Sequence, residues 1–146
     1  MSGAAPVDDV AAAVQASVRL LVQRLRQSPA VEGDLTSSET SALARIERAG
    51  TISPSELARL ERISPQSMGA TVAALEERDL VCRQPDPDDG RRAILSLSRE
   101  GKELLRRRRN ARNEVLSHAL ATAFSQAELR QLMAAAPLIE RLAQSI

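Results

Sequence analysis

A chain of 146 residues and 15.8 kDa is one domain's worth, long enough to bury a core. Hydrophobic residues make up 43%, yet Trp and Tyr are absent and Phe124 is the only aromatic. The core must therefore be aliphatic, which suits packed helices and argues against a base-stacking RNA platform. Net charge is only +1, but Leu80 to Arg112 holds ten basic and five acidic residues, leaving the remainder at −4. A positive charge concentrated in that way is the footprint of a phosphate-facing surface.

In chain order, Met1 to Pro6 is small and expected to fray. Val10, Val14, Val18, Leu21, Val22 and Leu25 recur at helical intervals and predict one amphipathic helix over Val7 to Gln27. Ser28-Pro29 stops it, and Ala30 to Asp34 is expected to be a loop. Thr36 to Glu39 has the order of a capping box, opening a helix to Arg48 with Leu43 and Ile46 inward. Gly50 suits a left-handed residue after it. Thr51-Ile52 is expected to pair with a later sheet.

Two closely spaced helix starts follow. Ser53 with Pro54 and Glu56 caps a short helix to about Arg62, and Ser64 with Pro65 repeats the signal eleven residues on. The second helix, Pro65 to Arg78, places Met68, Val72 and Leu75 inward and leaves Gln66, Ser67, Gly69, Ala70 and Thr71 outside. Two short helices with a tight turn form a helix-turn-helix, its second helix sized for the DNA major groove. Leu80–Arg83 and Ala93–Leu97 predict two strands around a Pro-, Asp- and Gly-rich loop from Pro85 to Arg92, a β-hairpin wing tipped by Arg91 and Arg92.

Ser98 is expected to cap a long helix from Arg99 to Thr122. Arg106 to Arg109 lie about 100° apart around it, so they cannot all face one partner. A solvated, salt-bridged surface accounts for most of them, with one or two free to add phosphate contacts. Ser125 and Glu128 form a further capping box, opening a last helix to Gln144 whose stripe is interrupted by Pro137. A winged helix cannot also bury long apolar stripes from both chain ends, so a second copy is expected to cover them, giving a homodimer.

The ordered set of Leu35-Thr36-x-x-Glu39, Ile52-Ser53-x-x-Glu56-Leu57-Ala58, Ser64-x-x-Ser67-Met68, Leu80-Val81-x-Arg83, Asp89-x-Arg91 and Leu97-Ser98-x-x-Gly101 resembles the MarR (multiple antibiotic resistance regulator) family of winged-helix transcription factors. The flanking helices fall where that family has them. The fold class implied is mainly α with a small β-wing, in three segments. These are 1–34, an N-terminal dimerisation helix and loop; 35–98, the DNA-binding winged helix; and 99–146, C-terminal dimerisation helices.

The resemblance implies a homodimeric regulator of double-stranded DNA, and with no signal peptide and no bilayer-spanning run read in the sequence a cytoplasmic location is expected. It would act as a repressor on a pseudo-palindromic operator, released by a small aromatic or phenolic acid effector. It assigns Arg91 to the minor groove and Asp89 to an ion pair holding the wing tip. Ser64, Gln66, Ser67 and Thr71 are the DNA candidates on the second helix, joined by Arg83 and Arg92 in the wing. Gln66 suits adenine, while Ser and Thr suit bases or phosphates.

Gly69-Ala70 stands where relatives often carry Ser or Thr and then Arg, which shifts the weight toward Gln66 and the wing. Asp79 replaces the usual Gly after this helix, which Asp tolerates. A winged-helix protein-interaction module, or a regulator without ligand control, is the alternative reading.

The rest of the sequence offers little chemistry. Cys82 alone can form neither an intrachain disulfide nor a cysteine metal set, and no metal or cofactor is expected. No HExxH, G-x-S-x-G or phosphate-cradling glycine loop is present, so no enzyme is expected. Arg19 or His118 could meet an effector carboxylate, though no pattern singles out either. No run is apolar enough to span a bilayer, so no membrane partner is expected.

Overall fold

The computed structural model describes residues 3–28 and 35–146. Pro29 and the expected loop over residues 30–34 lie outside the described residues. The chain divides into two compact units, one of Glu32–Asn110 and one of Met1–Val31 with Ala111–Ile146.

In the first unit, α2 (Ser37–Ala49), α3 (Pro54–Glu61) and α4 (Pro65–Glu77) precede β1 (Val81–Pro85) and β2 (Ala93–Leu97). Each helix starts where a hydroxyl satisfies an orphan backbone donor: Thr36, Ser53 and Ser64 accept from Glu39 N, Glu56 N and Ser67 N. Both helices of the helix-turn-helix end in Schellman motifs without glycine. Arg62 (φ 56°) and Asp79 (φ 58°) take the left-handed position. Ile63 N donates to Ala58 O at 3.1 Å and Leu80 N to Leu75 O at 3.0 Å. The left-handed Asp79 was anticipated, whereas Arg62 was not. Leu43, Ile46, Leu57, Met68, Val72, Leu75 and Leu95 are fully buried, an aliphatic core as the composition demands.

The wing is an antiparallel pair in the register Val81↔Leu97, Arg83↔Leu95 and Pro85↔Ala93. Its first strand begins and ends later than the expected Leu80–Arg83. Leu80 still belongs to the helix-ending turn, and Pro85 closes the strand. Thr51-Ile52 contributes only a single bridge, Ile52 to Leu95.

α5 (Arg99–Ala123) opens on Ser98, whose Oγ accepts from Gly101 N at 2.9 Å and donates to Asp79 O at 2.5 Å. The boundary between the two units falls within this helix, after Asn110.

The second unit contains α1 (Val7–Gln27) and α6 (Gln126–Gln144), and neither has a fully buried residue. Val7, Leu20, Leu132, Met133, Ile139 and Leu142 are exposed, and Ile146 completely so. The capping box at Ser125 closes in both directions, with Ser125 N to Glu128 Oε2 at 2.8 Å and Glu128 N to Ser125 Oγ at 3.2 Å. α6 continues as helix through Pro137. An open cleft of about 920 Å³ is lined mainly by apolar residues, Val10, Val14, Val18, Ile139, Leu142 and Ile146 among them.

Candidate nucleic-acid interface

α4 is held by its inward face and presents the opposite one. Met68, Val72 and Leu75 are buried, Gln66, Ser67, Gly69, Ala70 and Ala73 are exposed, and Thr71 is half-buried. The polar side chains on the exposed face are not equivalent. Ser64 and Ser67 hydroxyls bond each other at 2.9 Å, and Ser64 Oγ also accepts from Ser67 N at 3.1 Å. Thr71 Oγ1 donates to Ser67 O at 3.1 Å. These three serve the helix itself first.

Below α4, the α2–α3 contact is tied by a carboxylate. Glu61 accepts from Ser41 Oγ at 2.6 Å and from Arg45 Nε at 2.7 Å. Its burial opposes the charge, but the Ser41 hydroxyl and the Arg45 guanidinium outweigh it and hold the carboxyl below its ordinary value. On the exposed side of α3, Arg59 pairs with Glu56 and lowers that carboxyl's pKa in the same direction, chiefly through their hydrogen bond.

At the wing tip, Asp86 N donates to Arg92 O at 2.9 Å, and Arg92 N to Asp89 O at 3.0 Å. Asp88 N donates to Asp86 Oδ1 at 2.9 Å, and Arg91 N to Asp89 Oδ1 at 3.1 Å. The expected Asp89 ion pair with the Arg91 guanidinium is therefore not the contact formed. A short carboxylate two residues upstream reaches the backbone N–H more readily than a guanidinium at the end of a long stem. The tip is still held by Asp89, and the Arg91 side chain is left outside. Among the described residues neither Arg91 nor Arg92 has a side-chain hydrogen bond or close ion pair, and both are exposed. Arg92 borders an open cleft with Ser53, Pro54, Ser55, Pro65 and Ala93, so the wing stands beside the starts of both helices.

Arg83 has a different role. Its guanidinium pairs with Glu76 of α4 at 2.8 Å, fastening the wing to the second helix. Cys82, beside it on β1, is a free, exposed thiol. In the arginine run, Arg109 pairs with Glu47 of α2 at 2.7 Å and Arg106 with Glu103 at 2.7 Å. Those two are salt-bridged surface, as expected for most of the run. His118 and Arg19 are exposed.

Sequence reasoning missed the Glu61 and Glu76 ties, whose partners lie sixteen and seven residues away. The Asp89 turn had a signal, an Asp placed to accept from its own backbone two residues on.

A helix-turn-helix whose second helix presents an exposed face beside a two-stranded wing tipped by two exposed arginines defines the winged-helix class. The MarR family profile matches residues 35–93. A helix-turn-helix-type transcriptional regulator of Mycobacterium leprae is 37% identical over 121 residues, covering 83% of this chain and 81% of its own. The chain belongs to the MarR family of transcriptional regulators.

Among solved structures, a Pseudomonas aeruginosa protein assigned as a transcriptional regulator superposes with a TM-score of 0.81 at 34% identity, over 93% of this chain and 95% of its own. A Staphylococcus aureus MepR variant bound to an oligodeoxyribonucleotide shares the fold, with a TM-score of 0.66 at 19% identity over 94% of this chain and 98% of its own. Among the described residues no helix is long and apolar enough to cross a membrane, and no cluster of His, Cys, Asp or Glu could hold a metal.

Proposed function

We propose that this regulator is a homodimeric repressor that binds a pseudo-palindromic site in duplex DNA through α4 and the wing. The observation that carries the reading is the pairing of an exposed, uncharged α4 face with two exposed wing-tip guanidiniums that make no hydrogen bond or close ion pair among the described residues, Arg92 acting on Glu56 only through its field. An exposed arginine with no close ion pair suits a phosphate or a narrow minor groove. Ser64, Ser67 and Thr71 fit phosphate-side positions, and Gln66 fits a base edge. Arg83 acts through Glu76 to keep the wing in register with α4, and Asp89 shapes the tip. The likeness to a fold solved with an oligodeoxyribonucleotide is in keeping with this reading.

Dimerisation is supported by the unburied apolar faces of α1 and α6. A two-fold dimer would set its recognition helices on successive major grooves, about 34 Å apart. Release by a small aromatic or phenolic acid, and the sign of regulation, are carried over from the resemblance. Selection from a random duplex library tests the central reading. The expected consensus has two inverted half-sites with centres about 10 base pairs apart. A library that emerges without any consensus would sink it in favour of a module that binds a protein partner.

A further inference from the structure

Gln66 differs from the three hydroxyl residues at this end of the helix. The hydroxyls of Ser64, Ser67 and Thr71 are engaged by one another or by the α4 backbone. The Gln66 carboxamide is exposed and has no partner among the described residues. Between Pro65 and Glu77 the sequence carries no Lys or Arg. The charges it does carry are Glu76, taken up by Arg83, and Glu77 at the far end.

These facts bear on which base the helix can select. In the major groove guanine shows two acceptors, N7 and O6, which Arg or Lys meets best. Adenine shows an acceptor at N7 and a donor at N6, the pattern a carboxamide matches with both its atoms. A hydroxyl that serves as donor and acceptor alike discriminates poorly.

We infer that direct base reading by α4 rests on the Gln66 carboxamide and selects an adenine in each half-site, with the three hydroxyls acting as helix caps and phosphate-side donors. This deepens the DNA-binding reading above and depends on it. Ser67 keeps a hydroxyl proton for a phosphate oxygen, because its Oγ accepts from Ser64. Base preference then belongs to one side chain, and the cations contribute affinity from the wing.

The test uses the full-length protein and the selected duplex. Each half-site adenine is replaced in turn by 7-deazaadenine, which lacks the N7 acceptor, and by guanine. Binding is measured for the wild type, Gln66→Ala and Gln66→Glu. Because Gln66 is exposed, all three are expected to share one thermal midpoint. At one adenine per half-site, 7-deazaadenine should weaken the wild type about five- to tenfold and leave Gln66→Ala unaffected. Gln66→Glu should move the preference at that position toward cytosine, whose N4 amino group donates. Equal weakening of Gln66→Ala on every duplex, with base preferences intact, would overturn the inference and make Gln66 a phosphate contact. Failure of the wild type to prefer the selected duplex over an unrelated one would overturn the DNA-binding reading as well.

Discussion

At the scale of single residues, Leu80 ends α4 with its N–H on Leu75 O and also receives the start of α5, its carbonyl accepting from Ser98 N at 3.1 Å. Gly101 passes so close that a Cβ there would lie 2.2 Å from the Leu80 carbonyl oxygen, a backbone atom that cannot swing aside. Gly101→Ala is therefore expected to cost about 2–3 kcal/mol and lower the thermal midpoint by several degrees. An unchanged melting curve would show that α5 does not approach Leu80 this closely.

The sequence displayed Gly101 as the end of the Leu97-Ser98-x-x-Gly101 motif, with nothing to say that a carbonyl lay opposite. The DNA candidates were only partly legible for a related reason. Ser64, Ser67 and Thr71 were visible as polar and outward, but a hydroxyl has two uses, and only coordinates show which is taken. Arg83 was visible as a wing cation, while its engagement by Glu76 depends on a left-handed turn at Asp79 that folds the wing back on α4.

Whole elements were far easier to read. Ser-Pro at Ser53 and at Ser64 carries both a side-chain acceptor and a preset backbone angle, so the starts of α3 and α4 were placed to the residue. The strands were less certain, because a five-residue run has no comparable punctuation and Leu80 is apolar whether it ends a helix or begins a strand.

The packing of α2 on α3 was not legible, and it is there that pH should act. Glu61 has a lowered pKa in the folded protein, so its contribution is present above the ordinary glutamate value of about 4.3 and is lost as pH falls through the folded value. Glu61→Gln should be less stable than the wild type at neutral pH by roughly 1–2 kcal/mol. The difference should shrink once the pH drops below about 4.3, as the wild-type carboxylate takes up a proton. Chemical denaturation of both proteins across that range checks it. A difference that stays constant with pH would remove the charge from the explanation.

The whole molecule poses the problem of its unburied helices. Val10, Val18, Leu21, Leu132, Met133, Ile139 and Leu142 stand exposed on α1 and α6, more apolar surface than a lone chain in water readily keeps. The stripes were plain in the sequence, and so was their excess over what a winged helix can cover. In the proposed dimer, Leu142→Asp places a charge in the covered face and should give a monomer by light scattering, with the winged unit still folded. A variant that remained dimeric would put the interface elsewhere.

The most direct test of the central claim is the salt dependence of binding to the selected duplex, compared between the wild type and Arg91→Ala beside an unrelated duplex. The account predicts tight, specific wild-type binding that falls steeply with salt. It also predicts weaker binding by Arg91→Ala, with a log–log slope shallower by about one unit per protomer. Identical affinities and slopes for the two proteins, or equally weak binding to both duplexes, would contradict it.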